Sequence, residues 1–425
     1  MKVFKFGGAS VNSADAVRNM AHIVQSHLES DPLVVVVSAM GKTTNLLERL
    51  VPGGGAGEAS FKESRRQFED YHLAIANGLV PGDTGLMASI QDLLHQFNTT
   101  IASLTPSAEA YNYNYDQVVS YGELLSTTII AHYLNHLGIN AQWVDARQIV
   151  VTDSHHREGR VDWESTKRNV DGVSWKASGD DCRVYVTQGF IGGTTDGATT
   201  TLGREGSDYS ASILAYCLDA ESVTIWKDVP GFLNADPKFF PDTVKIDSIP
   251  YNEAIELAYY GASVIHPKTV KPIQNKGIPL YIRSFVTPES EGSVVGNYHT
   301  ISPETPLYIF RDNQILLSIM PRDYSFIAED NLQAIFGLLN ELGIRVNLMQ
   351  NSALSFSICV DNTPHLVARL VAGLKNMFRV RYNENLTLVT IRYYTPAVID
   401  RIVAGRPILL EQRSRTTEQV IVPSR

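Results

Sequence analysis

The chain has no apolar run long enough to cross a bilayer: its longest aliphatic stretch is Leu33–Val37, and a spanning helix needs roughly 20 such residues. It has no basic tail or cluster either. Lys and Arg number 36 against 45 Asp and Glu, for a net charge of −9. Nothing supplies the positive footprint that a nucleic-acid partner requires. Cysteine is scarce. Cys182, Cys217 and Cys359 are odd in number and far apart. That excludes a disulfide framework and a metal-ligand spacing, and leaves buried thiols in a reducing compartment as the expectation. Met1 runs straight into a strand-like segment without a basic-then-apolar leader, so a cytoplasmic location is expected. What is plentiful is apolar: 44% of 425 residues, enough for a large core and two or three domains.

The opening reads as strand, glycine turn, helix. Val3, Phe4 and Phe6 lead into Gly7 and Gly8, Ser13 is placed to cap a helix, and Val17, Met20, Ala21, Val24 and Leu28 recur on one helical face. Leu33–Val37 is apolar on both sides, as in a sheet covered on both faces. Strand–helix alternation of this kind predicts an α/β fold, an αβα sandwich with a mostly parallel central sheet. Residues 111–116 (YNYNYD) and 153–160 (DSHHREGR) read as loops, and the adjacent His155 and His156 do not converge on one metal. A second half of the sandwich is expected from Arg183 onward, and residues 287–297 read as a linker. Beyond it the order of strands and helices is βαββαβ over residues 313–383, a ferredoxin-like unit, with a shortened relative over 384–425. The expected domains are therefore 1–304 and 305–425.

Several segments carry chemistry. In residues 5–10 (KFGGAS), glycines after a strand let backbone N–H groups face an anion, and Lys5 adds a charge near phosphates; the plain alternative is a tight turn with an exposed lysine. Gly41-Lys42-Thr43 imitates a phosphate loop, but Val36 stands where such a loop needs its first glycine. Residues 38–45 nevertheless form a strand-to-helix loop rich in small donors, at the strand end where α/β ligands bind. Glu123, in SYGE, is expected in the first turn of an apolar helix, where it serves the helix dipole or a ligand. The densest segment is 187–211, rich in glycine and hydroxyls, with Arg204 and Asp208 flanking Gly206-Ser207. Arg forks onto a carboxylate and an acid takes an ammonium, so this loop suits a zwitterion. Residues 225–238 run from a strand into a Pro-Gly turn and a charged loop that suits a nucleotide. Residues 258–268 are expected to end a helix and enter a strand, with His266 structural.

Taken together, these blocks resemble the aspartate kinase branch of the amino-acid kinase family. KFGGAS resembles KFGGTS, SYGELLS resembles S-F-G-E-x-x-S, and TTLGREGSDYSA resembles TTLGRGGSDYSA, with Glu205 for Gly. IWKDVPGFLNADPK resembles IWTDVPGIYTTDPR, and YYGASVIHPKT resembles YFGAKVLHPRT. The resemblance implies the amino-acid kinase fold followed by ACT regulatory units. It also implies phosphoryl transfer from ATP, with Mg2+ carried by the nucleotide, to L-aspartate. Lys5, Gly7 and Gly8 would hold phosphates, with Lys5 and Asp208 catalytic. Ser38, Thr44, Glu123, Arg204 and Asp208 would bind aspartate, Arg204 taking its α-carboxylate. Lys227, Asp228, Leu233, Lys238, Ser263 and Val264 would line the nucleotide, with Lys, Leu, Lys and Ser departing from the family's Thr, Tyr, Arg and Lys. Met320, Phe326, Ile327, Val346, Asn347 and Ser352 would face an amino-acid effector, lysine or threonine. Asn347 replaces an Asp of lysine-sensitive relatives. A homodimer or higher homo-oligomer through the ACT units is implied, and a monofunctional form, since no dehydrogenase-like segment follows. A glutamate-type kinase and a non-catalytic amino-acid sensor are the rival readings.

Overall fold

The computed structural model describes residues 1–29, 31–55, 57–175, 183–240, 242–262, 264–323, 325–403 and 405–424. Cys182 and Ser263 lie outside them; Cys217 and Cys359 are free and buried. The elements in chain order are β1 Lys2–Phe6, α1 Ala14–Ser26, β2 Leu33–Val37, α2 Thr43–Glu48, α3 Glu58–Leu79, α4 Thr84–Ser103, α5 Tyr111–His136, β3 Ala141–Val144, α6 Ala146–Ile149, α7 Trp163–Gly172, β4 Val184–Gln188, β5 Ile191–Gly193, β6 Thr199–Thr201, α8 Gly206–Cys217, β7 Ser222–Lys227, β8 Phe232–Leu233, β9 Lys245–Ile246, β10 Ser248–Pro250, α9 Tyr251–Tyr260, α10 Pro267–Lys276, β11 Leu280–Ser284 and β12 Ser293–Gly296. Then follow β13 Leu307–Pro321, α11 Glu329–Glu341, β14 Val346–Asn351, β15 Phe356–Asp361, α12 Pro364–Leu374, β16 Phe378–Arg392, α13 Pro396–Val403, β17 Leu410–Arg413 and β18 Thr417–Pro423.

Two compact units emerge, the first comprising residues 1–232, 245–255 and 263–303. Its eight-stranded sheet runs β10-β12-β11-β7-β1-β2-β4-β3. Strands β2 and β4 are buried at every position, as strands covered on both faces must be. β1 pairs in parallel with β2 and β7, and Phe6 lies level with Val37 and Trp226. Val37 in turn lies level with Gln188 of β4. The loops after β1, β2, β4 and β7 therefore leave the sheet at one edge, where ligands of open α/β sheets bind.

The α/β reading is the one observed, and several local expectations need correction. The segment after Arg183 is no second half, because β4 pairs directly with β2 within the single sheet. Residues 111–116 are the first turns of α5, with Asn114, Tyr115 and Asp116 buried; their polar spelling hides helical spacing. Glu123 is therefore mid-helix, away from the helix dipole's end. Residues 293–296 of the supposed linker form β12, antiparallel to β11. After α9 the chain enters α10 rather than a strand, with His266 as its N-cap accepting from the Lys268 N–H. Ser13 caps α1 as read, accepting from the Ala16 N–H, but Gly8–Val11 forms a separate 3-10 turn ahead of it.

The second unit comprises 233–244, 256–262 and 304–425. Its six strands run β14-β15-β13-β16-β18-β17. β13 and β16 are each 15 residues long and pair along their length, with register shifts between Arg311 and Leu316. Asn313 (φ 53°) and Asn385 (φ 57°) carry the left-handed turns there, a conformation Asn tolerates better than most residues. The sequence reads two strands, 378–382 and 386–391, where the structure has one. The shortened second ACT-type unit thus obtains a strand from residues 307–311, which pair with 388–392. Ile315, Leu317, Ile335, Leu339, Leu370 and Phe378 pack the first half's core; Val389, Ile391, Ile402, Val420 and Val422 pack the second's.

Candidate active site

Lys5, the last-but-one residue of β1, is almost buried, at 7% exposure. Its Nζ lies 2.6 Å from Oδ1 of Asp208, which is fully buried in the first turn of α8. Lys227, the last residue of β7, places its Nζ 3.2 Å from the other carboxylate oxygen and donates to the Val264 carbonyl at 2.5 Å. One carboxylate thus lies between two ammonium groups. Burial alone would raise its pKa, but Lys5 and Lys227 outweigh burial and hold Asp208 below the ordinary carboxylate range.

A cavity of about 700 Å3 opens beside this cluster, lined by Lys5, Gly8, Ser38, Thr44, Glu123, Arg204 and Asp208 among others. Gly8 is there for want of space: a Cβ would lie 2.5 Å from the Gly41 carbonyl oxygen and 2.8 Å from that of Ala39. Gly8→Ala should therefore destabilise the fold by about 1–3 kcal/mol, read as a lower urea midpoint. An unchanged midpoint would mean the 38–41 loop yields freely.

Glu123 is 2% exposed. Its Oε1 accepts the Ala39 N–H at 3.3 Å, while Oε2 has no hydrogen-bond partner among the described residues. Burial pushes its pKa up to about 8, against the Ala39 N–H and the Lys5 charge. Such a group is completed by a donor, and a ligand ammonium is the donor that would let it ionise. Arg204 is exposed at the cavity. Glu205 beside it, where the resemblance has Gly, takes a left-handed φ of 55°, a strain that glycine avoids. Ser38 anchors the β2 loop, donating its N–H to Phe6 O and accepting Ser126 Oγ at 2.8 Å.

The structure also brings in residues that the sequence reading missed. Asp116, fully buried on α5, accepts from Thr201 Oγ1 at 2.7 Å and from the Arg157 N–H at 3.0 Å, and lies 2.9 Å from His156 Nδ1. Burial raises its pKa, opposed by these partners. It fastens the 155–158 loop onto the cavity wall, and the Arg157 guanidinium lies 4.3 Å over the Tyr115 ring. Residues 155–158 therefore line the cavity, and the 153–160 segment is not merely a solvated excursion. Tyr111 and Tyr115, four apart and in step with Val118, Val119 and Gly122, were the available signal. Among the described residues no group of three His, Cys, Asp or Glu side chains could hold a metal ion, and no helix is long and apolar enough to cross a membrane.

The remaining candidate positions divide. Gly7 accepts from Ser10 at the β1 turn, and Asp228 is exposed after β7. Leu233 and Lys238 belong to the second unit's 233–244 segment, where the Lys238 N–H donates to Asp236. In that unit, Ile327 is buried and its N–H donates to Ala353 O, next to Ser352. Phe326 is 72% exposed, and Met320 and Val346 are half-buried. Asn347 is fully engaged. It accepts Arg311 at 2.9 Å and donates to Gln314 and Asp361 at 2.8 and 3.0 Å. Arg311 also holds the Tyr259 and Tyr260 carbonyls.

These features match known proteins. The amino acid kinase family matches residues 1–284. Lysine-sensitive aspartokinase 3 of Escherichia coli is 33% identical over 400 residues, 92% of this chain and 86% of that protein. Aspartokinase 1 of Arabidopsis thaliana, a chloroplastic enzyme, is 31% identical, and 63% of its length is matched. The crystal structure of E. coli aspartokinase III with aspartate and ADP superposes with a TM-score of 0.83 at 29% identity, covering 100% of this chain and 96% of that one. The form with lysine and aspartate gives 0.82 at 30%. With two thirds of the chain matched by the family and a full-length relative at this identity, the chain belongs to the amino acid kinase family, in its aspartokinase branch.

Proposed function

We propose that this chain transfers the γ-phosphoryl group of ATP to the side-chain carboxylate of L-aspartate, giving 4-phospho-L-aspartate and ADP. This is the step that opens lysine, threonine and methionine synthesis. The observation that carries the reading is the Lys5–Asp208–Lys227 cluster at the edge of the cavity.

The chemistry needs no base. Aspartate's side chain has a pKa near ~3.9 in water and is already an anion at neutral pH. The obstacle is repulsion, roughly 4 kcal/mol between unit charges about 4 Å apart at an effective dielectric near 20. Lys5, Lys227 and the amides around Gly7 and Gly8 oppose it and stabilise the charge of a loose transition state. Asp208 fixes both ammonium groups in place. Bound Mg2+ would arrive with the nucleotide and neutralise part of its charge. Glu123 receives the substrate ammonium, with Ser38 and Thr44 beside it, and Arg204 forks onto the α-carboxylate. Asp228, Leu233, Lys238, Ser263 and Val264 are assigned to the nucleotide by resemblance.

Trapping the acyl phosphate with hydroxylamine, over a panel of aspartate, glutamate and N-acetylglutamate, tests the reading. Hydroxamate from aspartate alone is expected. Product from glutamate alone would move the chain to another branch, and none from any acid would leave a sensor. Arg204→Ala should raise the aspartate KM by about tenfold and leave the ATP KM within twofold. Equal shifts in both would remove Arg204 from the carboxylate.

Catalysis is assigned to residues 1–304 and regulation to 305–425. An amino-acid effector, lysine or threonine, would bind near Met320, Phe326, Ile327, Val346 and Ser352. E. coli aspartokinase III has been crystallised with lysine. Here Asn347 brings no charge and its side chain is already occupied, which favours the uncharged side chain of threonine. Exposed apolar groups on the first ACT-type half, Phe326, Met349 and Leu354, and the unpaired edge of β14 favour a homodimer through this region. A cytoplasmic setting agrees with Cys217 and Cys359 as free thiols.

A further inference from the structure

Apart from the catalytic cavity, the first unit has a second one of about 460 Å3, between residues 158–163, α8 and α10. Its walls combine two kinds of group. Arg160, Lys268 and Lys271 line it, and Glu158 is the one acid among its described lining residues. Lys268 and Lys271, three apart on α10, share a helical face, are exposed, and form no ion pair among the described residues. Arg160 interacts with the Asp153 carboxylate, whereas Lys268 and Lys271 on the α10 wall bring two charges that no ion pair among the described residues meets; in a chain of net charge −9 they make a local field that attracts an anion. Against them stand three aromatic rings. Trp163 meets Tyr216 at 5.1 Å and Tyr209 at 6.5 Å between centroids, both edge-to-face. Tyr209 and Tyr216 lie two turns apart on α8. The rings form a corner, and Trp163, 36% exposed, offers a free surface for stacking.

We propose that this cleft is a second small-molecule site, for an anion that carries a planar ring. The cations take the anionic group and the Trp163 corner takes the ring. The site is separate from catalysis. On α8, Asp208 lines the catalytic cavity while the next residue, Tyr209, lines this one, and Glu158 lines both. A nucleotide and an aromatic carboxylate share the required chemistry.

The test is fluorescence titration of the full chain with AMP, benzoate, adenosine and inorganic phosphate, using Trp163→Phe to isolate the signal from this site. A saturable emission change with AMP or benzoate, absent in Trp163→Phe, is expected. Whichever of the two responds identifies the source. Lys268→Ala/Lys271→Ala should weaken that binding at least about tenfold while kcat for aspartate phosphorylation stays within twofold. Adenosine and phosphate alone should bind at least about tenfold more weakly than the responding anion. The proposal is overturned if neither ring anion gives a Trp163-dependent signal at millimolar concentration. It is equally overturned if the double variant binds as tightly as the parent, or if phosphate or adenosine alone binds as well as the responding anion.

Discussion

Lys5→Ala should lower turnover at least ~100-fold with the chain still folded. Lys5 is the last-but-one residue of the central strand, and its ammonium lies 2.6 Å from Asp208. Strand pairing fixes the backbone on both sides, so the variant keeps its register with β2 and β7. Asp208 also keeps one partner, because Lys227 remains 3.2 Å from its other oxygen. What disappears is half of the positive charge that lets two anions meet. Asp208→Ala should behave differently. It leaves two ammonium groups side by side without a counter-charge, and breaking such a buried pair costs about 3–5 kcal/mol. Lys5→Arg keeps the charge but spreads it over a planar fork, so it should preserve the melting temperature and restore little of the rate. Hydroxamate trapping gives the rates and calorimetry the stabilities. Near-normal turnover in Lys5→Ala would remove Lys5 from the transition state, and with it the central claim about this site.

Much of this site is legible in the sequence, because glycine and charge patterns are local. The 38–45 loop follows β2, which is apolar throughout, and the Lys5 turn ends β1, whose residues 3, 4 and 6 are apolar. Such strands lie inside a parallel sheet, whose carboxyl edge gathers the loops. What could not be read was pairing across the fold. Nothing in the spelling of Lys227 says that it shares Asp208 with Lys5. That contact exists only because β7 lies beside β1, and strand order is a tertiary property. The start of α5 is hidden for the opposite reason. Its first turns spell YNYNYD, where polar residues suggest a loop, yet both polar side chains are buried: Asn114 Nδ2 donates to Pro52 O and Thr105 O, and Asp116 accepts from Thr201 and the Arg157 N–H and lies against the His156 ring. Tertiary partners overrode the polarity. The same holds for β16, where the turn at Asn385 joins what the sequence spells as two strands, and β13 extends over residues 307–314 ahead of the strand read at 315–320.

Aspartate binding at pH 7 should release close to one proton from the enzyme. Glu123 is the source. Burial lifts its pKa to about 8, so roughly nine-tenths of it is protonated at pH 7 in the empty site. Oε2 has no partner among the described residues. An ammonium arriving there favours the charged form, and the proton leaves as the ion pair forms. Calorimetric titration in buffers of different ionisation enthalpy counts it. Glu123→Gln should bind aspartate on the order of 100-fold more weakly and release no proton. The same substitution should change stability in a defined direction. A carboxyl whose folded pKa is raised stabilises the protonated chain below its unfolded value near 4.5. That contribution is lost as pH rises through about 8. The glutamine variant has no such dependence, so its melting temperature should match the parent's near pH 5, exceed it increasingly through pH 8, and keep a constant lead above that. A proton count of zero for the parent at pH 7, or an equal count for the variant, would mean that the substrate ammonium goes elsewhere and that Glu123 is only part of the core.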